Sequence, residues 1–498
     1  MMILVPLLAC SPVEIWLHDG VGDTGFADDD ADDDSDDDSD PHDSGDPDDT
    51  GDGPEEWDVS DVADGMLLGG WDDLALGDAE SLVLGGDVTG DGIGDVMVSG
   101  GRDGDGVVWV VSGQDAMGTP ADVSAVATAS FYGAGGYPIG TLAGTMRDVT
   151  GEGDDDLLIA SGQEVSGFGY AWLLAGGDDL EGTLDGRDAV KFFSGDSEED
   201  RLRIAVAGDI DGDSVAEVVT GAPDDDYVDG ESYAAQTGNV AIFQSGWDTE
   251  YWRLLGDAEA QIHGAEEADH LGQSLAIADL DGDGYDDILA GAPGADTEAE
   301  EGGAVYLFTG NTALEWEATA DEAMWARVAG TTVSQALGED PLAAPGDTDG
   351  DGHLDLALPS SAAGTISLWW QADQLAGDVS LSSADLVFVG TPGEFPSAAA
   401  WSADRDADGV DDAVLGDRAA GDSGLVYLFD LSLRPGPTLG PSDSTVHIAG
   451  AHPGDALGSA LAAGADVDGD GTGDLLLGAP GADDLAADGG AVYVLAGR

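Results

Sequence analysis

Basic residues are almost missing from this chain. Its 498 residues include 12 lysines and arginines against 105 aspartates and glutamates, a formal net charge of −93, and Lys191 is the only lysine. Such a surface repels phosphate backbones, which excludes nucleic acid as a partner, and it repels anionic headgroups in the same way. Cysteine is nearly absent too. With Cys10 alone, no intramolecular disulfide can form and no cysteine-based metal site is available. No run of about twenty apolar residues occurs, so a transmembrane helix is not expected. What is present is 42% hydrophobic residues, enough for a packed core. A charge this high calls for surroundings rich in screening cations.

The first ten residues, MMILVPLLAC, are apolar up to the cysteine. Leu7-Leu8-Ala9-Cys10 resembles the lipobox of bacterial lipoproteins, which implies a signal segment over residues 1–10 and lipidation of Cys10. Ser11 is not the aspartate that favours inner-membrane retention in that family. The resemblance therefore implies an extracellular or bacterial outer-membrane surface location, lipid-anchored or secreted. Residues 11–58 are dominated by Asp, Ser, Gly and Pro. Like charges at that density resist collapse, so a disordered acidic linker is expected there.

From residue 59 to residue 498 the chain repeats itself. At intervals of roughly sixty residues it writes a nine-residue loop close to D-x-D-x-D-G-x-x-D, seven times in all. Side chains at positions one, three, five and nine of such a loop can converge on one point, joined by the carbonyl of position seven. Three or four carboxylates this close repel one another unless a hard cation sits among them. The candidate ligands of the first loop are Asp87, Thr89, Asp91 and Asp95 with the carbonyl of Ile93. In the second they are Asp148, Thr150, Glu152 and Asp156 with that of Asp154. The third offers Asp209, Asp211, Asp213 and Glu217 with Val215, and the fourth Asp279, Asp281, Asp283 and Asp287 with Tyr285. The fifth offers Asp347, Asp349, Asp351 and Asp355 with His353, and the sixth Asp404, Asp406, Asp408 and Asp412 with Val410. The seventh offers Asp466, Asp468, Asp470 and Asp474 with Thr472.

All-oxygen sets of this kind suit calcium, up to seven ions in all. Magnesium demands tighter octahedral geometry, and zinc lacks nitrogen or sulfur donors here. The loops share D-x-D-x-D-G with the EF-hand, which needs a glutamate at position twelve. That position is Ala290 in the fourth copy and Leu477 in the seventh, so the EF-hand is excluded. The glutamate and threonine substitutions at Glu152, Glu217, Thr89 and Thr150 predict weaker sites.

Short apolar runs enter and leave each loop. In the fourth unit LGQSLAIAD precedes it, DILAGAP follows, and GGAVYLFTG and AQIHG-like runs complete the pattern. Runs of four to six residues bounded by Gly and Pro read as strands. Four strands per unit, seven times over, predict an all-β chain, a seven-bladed β-propeller. The unit resembles the FG-GAP repeat of integrin α-subunit N-terminal propellers and many bacterial surface proteins. Gly221-Ala222-Pro223, Gly291-Ala292-Pro293 and Gly478-Ala479-Pro480 match its GAP element, while Leu271-Gly272 and Leu457-Gly458 stand where its Phe-Gly lies. Other copies depart from it, as at Pro359-Ser360-Ser361 and Gly416-Asp417-Arg418. The last unit reads only as far as a third strand, AVYVLAGR, whereas ADGMLLGG (Ala63 to Gly70) precedes the first loop unassigned. An N-terminal strand is therefore expected to complete the seventh blade.

No catalytic constellation stands out. The histidines lack nucleophile or metal partners at useful spacing, an acidic Gly-rich loop cannot cradle phosphate, and no G-x-S-x-G elbow occurs. The resemblance implies a monomeric calcium-binding module for adhesion, binding a protein or glycan and touching a membrane only through Cys10. A polysaccharide hydrolase or lyase on the same scaffold and a passive calcium-holding surface component are the alternative expectations.

Overall fold

Seven four- or five-stranded sheets account for nearly all of the regular structure. The computed structural model describes residues 55–497 apart from 72–73, 79–81, 102–105, 133–143, 162–166, 178–179, 198–199, 230–231, 246–250, 313–316, 344–345, 391–397, 404–409 and 433–435. Blade 4 shows the plan. Its antiparallel strands are Leu275–Ala278, Asp287–Ala292, Ala304–Phe308 and Ala326–Ala329, from the axis outwards. The middle two are buried along their whole length. They are apolar without alternation because each blade is covered on both faces by its neighbours, as buried strands require.

The core accordingly forms seven apolar layers, one at each blade junction. Val219 and Ile242 of blade 3 meet Ile288 and Tyr306 of blade 4 in one layer. Leu476 and Val492 of blade 7 meet Val96 and Trp109 of blade 1 in another, which closes the ring. The N-terminal strand supplies the expected closure. Gly65–Leu68 pairs antiparallel with Ala491–Leu495, Leu67 facing Val492 and Leu68 facing Ala491. The structure thus is a seven-bladed, all-β propeller.

Four strands per blade proved too few. A fifth, parallel strand covers the outer edge of each blade, and it belongs to the next blade in the ring. Gly182–Asp185 of blade 2 lies on blade 1, and Trp252–Leu254 of blade 3 lies on blade 2. Glu317–Thr319, Gly377–Ser380 and Thr438–Leu439 continue the series onto blades 3, 4 and 5. Glu55–Asp58, ahead of the blade 7 closing strand, lies on blade 6, and Ala121–Asp122 of blade 1 lies on blade 7. This exchange hides the row of unpaired backbone groups that each outer strand would otherwise present. Several of these strands run into a single helical turn, as at Asp58, whose carboxylate accepts the N–H of Ser60, and Asp122, which does the same for Ser124. Glu55–Asp58 lies within the stretch that composition alone assigns to the linker.

Blade 5 departs from the plan. Among the described residues its innermost strand is represented by one bridge between Gly346 and Asp355. The corresponding sequence, PLAAPGD, carries Pro341 and Pro345, which have no N–H to give to a ladder. Inner segments of several blades line a cavity of about 600 Å³, walled by residues such as Leu82, Ile204, Leu275, Ile277 and Leu342, with Arg147 and Arg203 among its few charged lining groups.

The motif glycines act at the junctions. Gly272 has φ +88°, and a Cβ on it would lie 2.9 Å from the Cα of Gly221 on the preceding blade. Gly338 meets Gly291, Gly458 meets Gly416 and Gly77 meets Gly478 in the same way. The two halves of the repeated motif are therefore contact partners across blades. Blade 6, without a literal GAP, keeps the glycine that matters, Gly416.

Candidate metal centres in the loop ring

Each acidic loop joins the first and second strands of its blade, so the loops stand in a ring at one end of the axis. The ninth residue stands at the start of the second strand, and in six loops it is buried: Asp95, Asp156, Glu217, Asp287, Asp355 and Asp474 are all at most 2% exposed, whereas Asp412 is half-buried. Its carboxylate ties the loop shut. Asp287 Oδ2 accepts the N–H of Leu280 at 3.0 Å, and its Oδ1 accepts that of Gly310, past the end of the third strand, at 2.9 Å. Asp474 repeats this with Val467 and Gly497 at 2.7 and 2.8 Å. Asp355 does so with Thr348 and Gln371, and Asp156 with Val149 and Gly176. Glu217, longer by a methylene, still reaches Ile210 and Ser245, at 3.1 and 3.3 Å.

The first residue holds the turn from the other side. Asp279 accepts the N–H groups of Asp283 and Gly284, both at 3.0 Å. Asp87, Asp148, Asp209, Asp347 and Asp466 make the equivalent pair of bonds in their loops. Glycines with positive φ, such as Gly282 and Gly284, make the turn tight enough for this. The fifth residue accepts the N–H of the seventh, as Asp283 does from Tyr285 at 3.0 Å, Asp213 from Val215, Asp351 from His353 and Asp470 from Thr472.

In four loops the structure brings three carboxylates together, with one oxygen of each within 4.8 Å of the others. The groups are Asp209–Asp211–Glu217, Asp279–Asp281–Asp287, Asp347–Asp349–Asp351 and Asp466–Asp468–Asp474. Oxygen-only sets of this size fit a hard divalent cation, with calcium's flexible coordination the easiest to meet. His353 contributes no ring nitrogen to its loop; its Nδ1 lies 3.3 Å from Asp373. In the first two loops threonine at the third position turns its hydroxyl to the ninth carboxylate, Thr89 to Asp95 at 3.1 Å and Thr150 to Asp156 at 3.4 Å. Asp404, Asp406 and Asp408 of the sixth loop lie outside the described residues, whereas Val410 and Asp412 lie within them. Spacing did not reveal the side chains that reach in from the third strands: Ser112 to Asp91, Gln244 to Asp211 and Gln371 to Asp351.

Burial pushes the ninth carboxyls up, to about 6 for Asp95 and Asp355 and about 7 for Glu217 and Asp287. Burial raises Asp225 and Asp269 to about 6 as well. Groups raised in the fold bind protons that the unfolded chain releases. The stability they give is complete below the ordinary carboxyl range, near pH 4, and is lost as pH rises through 6 to 7. His263, lowered to about 4 by burial, works in the opposite direction, but it is one group against six. In chelator, therefore, the denaturation midpoint is expected to be higher at pH 5 than at pH 8. Paired urea titrations check this, and a higher midpoint at pH 8 contradicts it.

Comparison with known proteins agrees with the architecture. The FG-GAP repeat family matches residues 271–308 and 457–495. Integrin alpha-4 of Xenopus laevis is 31% identical over 142 residues, covering 28% of this chain and 12% of that protein. Integrin alpha-IIb of Homo sapiens is 29% identical over 223 residues, covering 42% and 19%, and the Mus musculus protein 32% over 166 residues, covering 32% and 14%. The chain thus spans less than a fifth of the length of these relatives. A solved structure described as "Structure of Dos1 propeller" aligns over 80% of this chain and 74% of that one, with 12% identity and a TM-score of 0.42. Residues 271–308 and 457–495 match the FG-GAP repeat, and the seven-bladed β-propeller that holds them is similar over part of its length to the integrin α subunits.

Proposed function

We propose that the chain is a secreted or surface-anchored, calcium-stabilised propeller that serves as a binding or adhesion module. The observation that carries this reading is the set of four loops that each gather three carboxylates within 4.8 Å, without a nitrogen or sulfur donor. Calcium would be held by the carboxylates at positions one, three and nine or five, with the seventh carbonyl completing the set. It would neutralise the charge gathered at each turn and so couple folding of the ring to the metal. The first, second and sixth loops would hold calcium with the ligands named above, the first two more weakly through Thr89 and Thr150. Kinship with integrin α subunits favours a protein partner, docked on the faces of the ring. An anchor at Cys10 would place the module at a bacterial surface.

The test is retention of the full chain on arrays of extracellular-matrix proteins and of glycans, in calcium and in chelator. Protein binding that disappears in chelator is the expected result. Retention that is equal in both, or absent from every surface in calcium, contradicts the reading.

A further inference from the structure

The seven loops differ at two positions that serve no ligand role, and the two differences are matched. The residue just before the first aspartate is Gly86, Gly208 and Gly346 in loops 1, 3 and 5, but Arg147, Ala278, Ala403 and Ala465 in the others. The eighth residue is Asp155, Asp286 and Asp411 in loops 2, 4 and 6, but Gly94, Ala216, Leu354 and Gly473 in the others. Each glycine therefore faces an aspartate in the next loop of the ring, three times, and neither residue occurs without the other.

The geometry explains the match. Asp286 Oδ2 accepts the N–H of Asp209 at 2.9 Å, and the N–H of Asp286 donates back to the Asp209 carbonyl at 2.9 Å. Asp411 and Asp347 form the same reciprocal clamp, at 3.1 Å in both directions. Asp155 accepts the N–H of Asp87 at 3.0 Å. A side chain on the preceding residue would collide with this carboxylate. A Cβ on Gly86 would fall on the Asp155 carboxyl group, and one on Gly208 would lie 2.8 Å from Asp286 Oδ2. At two other junctions the contact is between backbones, Ala216 N–H to the Asp148 carbonyl at 2.8 Å and Gly94 N–H to the Asp466 carbonyl at 3.0 Å.

In every clamp the residue that accepts stands next to the ninth ligand of its own loop, and the peptide it holds belongs to the first ligand of the neighbour. We propose that the loops take up cations as three coupled pairs, first with second, third with fourth and fifth with sixth. The seventh is independent, and Asp155, Asp286 and Asp411 are the positioning residues. The proposal rests on the cation reading above. An ion that orders loop 4 fixes Asp286, and with it the anchor of loop 3, so the second ion of a pair meets a loop already ordered. The clamping carboxylate is also an acidic group at the junction of the two loops that no ligand set uses.

The test counts ions bound to the full chain by equilibrium dialysis with calcium, at the free concentration that half-saturates the wild type. Asp281 and Asp468 are exposed ligands of loops 4 and 7, so replacing either leaves the core intact. Each site then carries about half an ion, so Asp281→Ala should lose close to one ion and Asp468→Ala close to half of one. Adding Asp286→Ala should remove this difference, because loop 3 then no longer responds to loop 4. Asp286→Asn, which keeps an oxygen acceptor for the Asp209 N–H, should restore it. Equal losses in Asp281→Ala and Asp468→Ala overturn the coupling while leaving the cation sites standing. A wild-type chain that binds no calcium overturns both.

Discussion

Deleting residues 60–70 should lower the melting temperature by on the order of 10 °C or abolish a cooperative melt. The deletion removes the strand Gly65–Leu68, which is the fourth strand of blade 7 although it is some 420 positions from its partner Ala491–Leu495. Leu67 is wholly buried and sits in the layer joining blades 7 and 1. Truncating a buried leucine alone costs about 2–5 kcal/mol, and the ladder bonds to Val494 and Val492 are lost with it. Two further losses follow. Ala121–Asp122 of blade 1 is left without the strand it covers, and Asp64 no longer accepts the N–H of Ala496. The damage therefore reaches blades 7 and 1 at once. Moving residues 55–70 behind the C-terminus through a short linker should restore the melt, because Gly65 already faces Val494 across the sheet. A deletion that melts with the full chain in circular-dichroism scans contradicts this account of closure.

Much of this architecture is written locally. Seven acidic loops in register mark seven junctions between first and second strands, and the apolar runs around them are strands because they are short, β-branched and bounded by Gly and Pro. The missing fourth strand of the last unit pointed to closure by the N-terminal segment for the same reason, since an open edge cannot be left in a ring. The exchanged fifth strands were not legible. Gly182–Asp185 and Thr438–Leu439 are two to four residues long, largely unburied, and pair in parallel with segments about fifty residues away, so no local period marks them. Composition also misjudged where the propeller starts, because Glu55–Asp58 reads as one more acidic stretch until its partner Val446–Ala449 is known.

The loops themselves were half legible. Spacing named the carboxylates at the first and ninth positions, but the same residue types could have been fully solvated. Burial distinguishes them: Asp287 is both a candidate ligand and the bolt between the loop and the third strand. The matched Gly208 and Asp286 were visible in the sequence, yet their meaning depends on which loops are neighbours and on which face each residue lies. That information belongs to the ring and not to any single repeat.

Calcium is the second large effect. Three carboxylates with oxygens within 4.8 Å in each of four loops repel one another in the metal-free chain, and burial of the ninth adds to the cost. An ion at each site would reverse both terms. A ligand that binds only the folded state at about a hundred times its dissociation constant contributes about 2.7 kcal/mol per site. Four such sites amount to roughly 11 kcal/mol, comparable to the whole net stability of a typical domain. The loss on chelation should fall on the whole ring, because Asp156, Glu217, Asp287, Asp355 and Asp474 tie their loops to the ends of the third strands, and backbone bonds join neighbouring loops.

The measurement that tests the central claim most directly is a pair of calorimetric melts of the full chain at neutral pH, one in excess calcium and one in excess chelator. The account predicts a melting temperature higher by on the order of 10 °C in calcium. Two melts that coincide within about 2 °C would contradict it, and would mean that the acidic loops are held by their own hydrogen bonds alone.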